Sequence, residues 1–231
     1  MALVQYGGGI LDARGSIGGQ VHSRNRYGNY IRARTTPVNP QSQRQNVIRG
    51  IIQTLASMWS NTLVAAERAA WEVYADSIVR TNKLGAQVKL TGFNHFIRSN
   101  AFILQNGGAV VASGPTTLTL PGADPTFACV VDEAAQLVTV TFDNALAWAI
   151  AVGGYLGVYM SEPKAPGVSF IGGPWRLAGT IAGAVVPPTT GEELPCPYVV
   201  AEGQVVVCRA RIVEVDGRLS DYFQHASAVT A

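Results

Sequence analysis

Charge is scarce in this 231-residue sequence: Asp, Glu, Lys and Arg make up 14% of it, against 48% hydrophobic residues. Disordered chains show the opposite balance, so an unfolded polypeptide is excluded. The chain is long enough to bury a core without covalent staples, and it has few to offer. Its three cysteines, Cys129, Cys196 and Cys208, form no Cys-x-x-Cys pair and no zinc-like spacing, so they read as buried free thiols of a protein folded in a reducing compartment. A Cys129–Cys208 bridge would require two strands to set them side by side. Residues 1–9 lack a basic segment followed by an apolar one and do not read as a signal peptide. The stretch Asn144–Ser161 is uncharged over 18 residues. Gly153-Gly154 breaks it and Asp143 and Glu162 flank it, which predicts two buried strands joined by a glycine turn rather than a membrane span.

Catalytic patterns are equally thin. His22, His95 and His225 fall in different parts of the chain and none belongs to a metal-ligand pattern. The acid pairs Asp132-Glu133 and Glu192-Glu193 lie in turn-like contexts. General acid–base work needs carboxylates converging from different elements, so both pairs read as solvated loops. Gly7-Gly8-Gly9 is followed by no Gly-Lys-Ser/Thr and preceded by no strand, which excludes a phosphate loop. No Gly-x-Ser-x-Gly elbow is present. The expectation is a non-enzyme with no catalytic residues, no cofactor and no metal.

What charge there is lies unevenly. Residues 1–100 carry 12 Lys+Arg and 4 Asp+Glu, a net +8; residues 101–231 carry 5 and 11, a net −6. Seven arginines (Arg14, Arg24, Arg26, Arg32, Arg34, Arg44 and Arg49) stand in the first fifty residues beside a single acid, Asp12. Lysine is nearly missing (Lys83, Lys89 and Lys164 only). Arginine in place of lysine points to bidentate pairing with carboxylate or phosphate rather than to solubility. These seven arginines, with Tyr27 and Tyr30, are the candidate partner-binding residues. Acidic protein neighbours are the first expectation, and DNA contact the alternative.

Residues 1–38 read as an extended glycine- and arginine-rich arm. Gly28-Asn29 predicts the turn of a hairpin, with Arg24 and Arg26 on one face and Arg32 and Arg34 sharing a face. The arm has no hydrophobic face of its own, so alone it should be marginal.

A helical module follows over 39–106. Asn39 is a candidate N-cap with Pro40 at the first helical position. Val47, Ile48, Ile51, Ile52, Leu55, Met58 and Trp59 then predict a helix over 40–60. A second helix over 64–78 would bury Ala66, Ala69, Ala70, Trp71, Val73, Tyr74 and Ile78. A third begins after Thr91, with Phe93, Phe96, Ile97, Ile103 and Leu104 inward, and ends at Gly107-Gly108. The first two helices have the spacing of a helix-turn-helix. However, the second holds Glu67, Glu72 and Asp76 against Arg68, and phosphates would repel it.

Residues 107–123 read as a linker. Over 124–231 the pattern changes to seven short strands, near 127–131, 137–142, 155–160, 176–181, 197–201, 204–214 and 218–224, with an Asp216-Gly217 turn. The fold class expected is α+β: a basic arm, a three-helix module and a C-terminal β-sandwich.

Two resemblances add to this. Val207-Cys-Arg-Ala-Arg-Ile-Val-Glu-Val-Asp-Gly-Arg-Leu-Ser220 is similar to the closing strands of a fibronectin type III or immunoglobulin-like module. No tryptophan lies in the Leu137–Phe142 strand and no tyrosine at the corner position, which leaves the subfamily open. Gly15-Ser-Ile-Gly-Gly-Gln-Val21, Arg24-Asn-Arg-Tyr-Gly-Asn-Tyr-Ile-Arg-Ala-Arg34 and Pro37-Val-Asn-Pro-Gln-Ser-Gln-Arg-Gln-Asn-Val-Ile-Arg49 resemble uncharacterised proteins of tailed bacteriophages. Leu63-Val-Ala-Ala-Glu-Arg-Ala-Ala-Trp-Glu-Val-Tyr-Ala75 and Thr91-Gly-Phe-Asn-His-Phe-Ile-Arg-Ser-Asn100 extend that resemblance. It implies a virion structural protein and nothing finer; taken with the basic arm and the uneven charge, the expectation is a component assembled in the host cytoplasm, as capsid cement or decoration or as a neck or tail accessory. Its partners would be other virion proteins, in a homo-oligomer or symmetric array and without a membrane. A DNA-binding or DNA-packaging accessory is the alternative.

Overall fold

The computed structural model describes residues 2–168 and 170–231. It is α+β, with three helices and a large mixed sheet of seven strands.

The arm forms a four-stranded antiparallel sheet in the order β1-β4-β3-β2, from β1 (Ala2–Leu3), β2 (Gly15–Ile17), β3 (Gln20–Asn25) and β4 (Gly28–Ala33). The expected hairpin is present, but its turn is Arg26-Tyr27 rather than Gly28-Asn29, because Asn25 pairs with Gly28. Gly28 opens β4 at φ +116°, a value that suits glycine and makes the short connection possible. Gly18-Gly19 supplies the turn between β2 and β3.

Helix α1 (Gln43–Asn61) starts at Ser42, whose hydroxyl accepts from the Gln45 N–H at 3.4 Å. Asn39 is not the cap; its side chain accepts a hydrogen bond from Arg49 instead. Only the C-terminal half of α1 packs on the module. Leu55 is buried, whereas Val47 and Ile52, both expected inside, are exposed because nothing lies over that half of the helix. In α2 (Ala65–Ser77), Glu67 reaches back to the Val64 N–H at 2.9 Å. Its inward residues are Trp71, Tyr74 and Ala75; Ala66, Ala69 and Val73 face outward, contrary to expectation, since the packed stripe is narrow. A hairpin of β5 (Val79–Thr81) and β6 (Gln87–Lys89), too short to show an apolar alternation, leads to α3 (Gly92–Gln105). Thr91 caps α3 by accepting from the Asn94 N–H, and Gly107, at φ +77°, ends it.

The segment after α3 lies across the helices. Asn100, fully buried in α3, accepts from the Val111 N–H at 2.7 Å and donates to the carbonyls of Phe96 and Val111. The Trp71 indole donates to the Ala112 carbonyl at 2.8 Å.

The C-terminal region contains β7 (Ala128–Asp132), β8 (Leu137–Thr141), β9 (Tyr155–Ser161), β10 (Trp175–Ala182), β11 (Glu192–Pro195), β12 (Val205–Val213) and β13 (Phe223–Thr230), in the order β10-β9-β12-β13-β7-β8-β11. Strand β13 joins the two parts, antiparallel to β12 and parallel to β7 through Val229 and Thr230. The end strands meet where Leu194 packs on Gly179. One core fills the interior, including Val131, Val138, Val140, Leu156, Val158, Met160, Cys208 and Ala210. This arrangement is compatible with a sandwich or a barrel.

Three strand expectations need correction. The fifth strand lies at Glu192–Pro195, not 197–201, and it places the pair Glu192-Glu193 on a strand rather than in a loop. The last begins at Phe223, since the Asp216-Gly217 turn carries only the Val213–Leu219 bridge. Asn144–Gly154 contains no strand: Trp148 fills the core from a loop, its ring 5.4 Å from that of Phe142 and tilted 54° to it. No described helix is long and apolar enough to cross a membrane.

Helix α3 seats on the outer face of β9 and β12. Gly157 leaves bare backbone there, where the Phe102 ring occupies the space a Cβ would need. Ile103, Tyr155, Val213 and Leu219 complete this cluster.

Two predictions follow from the buried polar groups. Asn100→Ala should destabilise the protein by about 2–4 kcal/mol in denaturant unfolding, because it leaves the half-buried N–H and carbonyl of Val111 unpaired and opens a gap at a fully buried position. His95 is 2% exposed, edge-on to Tyr74 at 5.3 Å. Burial and the nearby Arg98 and Arg80 lower its pKa to about 4. An unfolded histidine takes its proton near pH 6.5, so this group's contribution is present above that pH and is lost as pH falls towards 4. Stability should therefore decline by up to about 3 kcal/mol across this window, and His95→Phe should flatten that part of the profile.

Candidate functional site: the N-terminal sheet and a second arginine cluster

Not one described residue before Leu55 is buried. The arm sheet is short in every strand and has polar residues on both faces, so it gains almost nothing from packing on itself. Two hydrogen bonds tie it to the β5–β6 hairpin, beside a cleft lined by Leu3 and Tyr27 from the arm and Leu84 from the hairpin. Arg26 donates to the Lys89 carbonyl at 3.4 Å, and Asn82 donates to the Tyr27 carbonyl at 2.7 Å. Ile10, Leu11, Ile17 and Val38 are exposed, Leu11 at 96%.

The candidate residues do not form one cluster. Arg14, Arg24 and Arg26 line a shallow trough with Ser23 and Asn25. Arg24 stands on β3 opposite Asn29, whereas Arg26 sits with Tyr27 in the turn rather than on the strand. Arg32 pairs with Val21 and Tyr30 with Ser23, which places both on the sheet face opposite to Arg24. The Arg34 N–H bonds to the Gly19 carbonyl, extending the ladder by one residue beyond β4. Arg44 projects from the first turn of α1, where a cation opposes the helix dipole. Arg49 donates to Asn39 at 2.8 Å. Among the described residues, the only ion pair of the seven is that of Arg14, whose Nε is 3.1 Å from Asp12.

A second arginine cluster, not foreseen from sequence, lies where the helical module meets the sheet. Arg209 and Arg211 are successive outward positions of β12, alternating with buried Cys208, Ala210 and Ile212. The Arg209 guanidinium lies 4.2 Å from the Trp175 ring and 4.2 Å from the Tyr222 ring. Arg211 donates to the Tyr159 hydroxyl at 3.1 Å and lies 4.9 Å from the Phe102 ring. From the helical side, Arg80 contacts Asp221 at 2.8 Å and Arg98 contacts the same carboxylate oxygen at 3.8 Å. Burial, reinforced by Arg80 and Arg211, brings the pKa of Arg98 down to about 10. Desolvation pushes the Tyr159 phenol up. The alternation along β12 is visible in the sequence, but the aromatic partners Phe102, Tyr159, Trp175 and Tyr222 come from four other segments.

No protein-family model matches the chain, and no curated protein matches it. Its chemistry is therefore read from the side chains alone.

The thiols form a third group. The Cys129 sulfur lies 3.6 Å from His225 Nδ1 and donates to the His225 carbonyl at 3.7 Å. The neighbouring Cys208 thiol, then His225, hold Cys129 low, at about 7, while Cys129 and burial push Cys208 up. Both cysteines are buried and all three are free. Among the described residues, no three His, Cys, Asp or Glu side chains are placed to hold a metal ion.

Since nothing ahead of Leu55 is buried, limited trypsin digestion of the full chain should cut first after arginines within 14–49. The remainder should persist, as followed by mass spectrometry. Early cutting at Arg209 or Arg211 would contradict the arrangement described.

Proposed function

We propose that this chain is a structural component of a tailed-phage virion, docking to neighbouring subunits through its N-terminal arm and the free half of α1. Capsid cement or decoration, or a neck or tail accessory, are the roles in view. The observation that carries the reading is that no described residue from 2 to 54 is buried, although the segment is rich in arginine and studded with apolar side chains. Such a segment acquires a core only from a partner. It gives up conformational entropy on docking and gains area and charge pairing in return. The bacteriophage resemblance of residues 15–100 supports the same reading, with other virion proteins or further copies in a symmetric array as partners.

The C-terminal region is read as a fibronectin type III-like sandwich, with β10-β9-β12-β13 and β7-β8-β11 as its two sheets. In constant-type immunoglobulin domains the fourth strand lies beside the fifth, in the orders ABED and CFG. Here the fourth strand, β10, pairs with the third, β9, which favours the fibronectin relative of that fold. The role is non-catalytic and needs no cofactor.

A DNA-binding or DNA-packaging accessory is the second reading. The trough of Arg14, Arg24 and Arg26 favours it, since three guanidinium groups beside Ser23 and Asn25 suit phosphates. Reversing Arg24, Arg26, Arg32 and Arg34 to glutamate separates the two. On the structural reading the variant folds with an unchanged melting transition but is missing from assembled particles, as seen by particle gel analysis. Full occupancy of the variant would refute docking through the arm. A loss of DNA binding with a steep salt dependence in the unmodified chain would favour the alternative.

A further inference from the structure

Residues 101–231 carry a net −6, yet two of their five cations stand side by side on β12 and meet two more from the helical module, Arg80 on β5 and Arg98 on α3. Arg80, Arg98, Arg209 and Arg211 have Asp221 as their only carboxylate partner among the described residues. Nε of Arg80, Arg209 and Arg211 and Nη2 of Arg80 are buried without a hydrogen-bond partner. Leaving such donors unpaired is unfavourable, and gathering four cations about one acid adds repulsion. A fold would not retain this arrangement for its own stability, since apolar side chains on the outer face of β12 would serve better.

The aromatic residues decide which anion fits. Trp175 and Tyr222 flank the Arg209 guanidinium, each 4.2 Å away, and Tyr159 lies between Arg209 and Arg211 at 5.6 Å from each. Held this way, a guanidinium presents its in-plane N–H edge, the fork that matches a carboxylate. The same stacking occupies the ring faces on which single-stranded nucleic acid would stack its bases. Arg209 and Arg211 are two residues apart on a strand, a rise of about 6.6–6.8 Å. Carboxylates two residues apart on an extended chain have that same spacing.

We propose that this face of the protein is a docking site for an extended acidic segment of a partner protein, with alternate carboxylates taken by Arg209 and Arg211 and with Arg80 and Arg98 adding charge beside them. The arm reaches only the hairpin that carries Arg80, through Arg26 and Tyr27, and contributes no residue to the site, which stands whether or not the arm docks.

The test is fluorescence anisotropy of a labelled hexaglutamate peptide with the full chain at low ionic strength. Its background is the variant with Arg24, Arg26, Arg32 and Arg34 reversed, which removes arm binding. Saturable binding is expected in that background, weakened about ten-fold or more in Arg209→Gln/Arg211→Gln, a loss typical of removing charged hydrogen-bond partners. Arg209→Lys/Arg211→Lys keeps the charge and the aliphatic stems and guards against misfolding. It should bind between the two while melting like the parent. A twelve-nucleotide oligothymidine should bind more weakly than the peptide. Absence of peptide binding, equal affinity in the glutamine and parent proteins, affinity in the lysine variant no different from the parent, or tighter binding of the oligonucleotide would each overturn the proposal. Failure of the arm variant to enter particles bears on the function proposed above and leaves this outcome unaffected.

Discussion

The contact between Phe102 and the bare backbone at Gly157 is the constraint on which the rest of the molecule depends. Helix α3 can sit on the outer face of β9 and β12 only because no side chain rises from that position. Once it does, Ile103, Tyr155, Val213 and Leu219 close into a shared cluster and the helical module has a floor. The segment after α3 is then drawn across the helices by Asn100, which exchanges two hydrogen bonds with Val111. The same seating brings Arg98, four residues before Phe102, to the edge of the sheet where Arg211 lies. The second arginine cluster is thus a consequence of one glycine.

The legible parts of the fold are those in which local chemistry and tertiary packing agree. Thr91 and Gly107 bracket α3 through ordinary capping, and the apolar alternation of β12 carries through from Val206 to Ile212. Errors arise where packing overrides local preference. Asn39 followed by Pro40 is a good helix start by composition, yet the helix begins at Ser42, and Asn39 is engaged by Arg49 instead. Val47 and Ile52 satisfy the helical period but find nothing to pack on. Trp148 sits in an uncharged stretch that reads as strand, and it reaches the core from a loop. Hydrophobic periodicity shows which residues prefer to be buried, but not whether a partner surface is there to bury them.

The same distinction applies to the candidate sites. The arm's arginines were visible because they are crowded in sequence. They turn out to be divided between two sheet faces, a turn and a helix end. The cluster at Arg80, Arg98, Arg209 and Arg211 was invisible because its members are spread over more than 130 positions and lie in segments of opposite net charge. Counting charge along the chain places Arg209 and Arg211 in an acidic region; counting it in space places them beside two further cations.

Viewed in three dimensions, then, the division into +8 and −6 is not the whole electrostatic organisation of the molecule. The arm's arginines are exposed, with at most one surface partner each, so they can adapt to a partner's shape, at the cost of ordering an otherwise marginal sheet. Those at the junction are stacked on aromatic rings and held by Asp221 and Tyr159, so most of their rotamer freedom is already lost. A preorganised cation binds with less entropic loss per contact and discriminates more sharply by geometry than a flexible one. Two cationic surfaces with such different stiffness suit different tasks. The arm is built to wrap a neighbour, whereas the junction is built to recognise a particular spacing of negative charge.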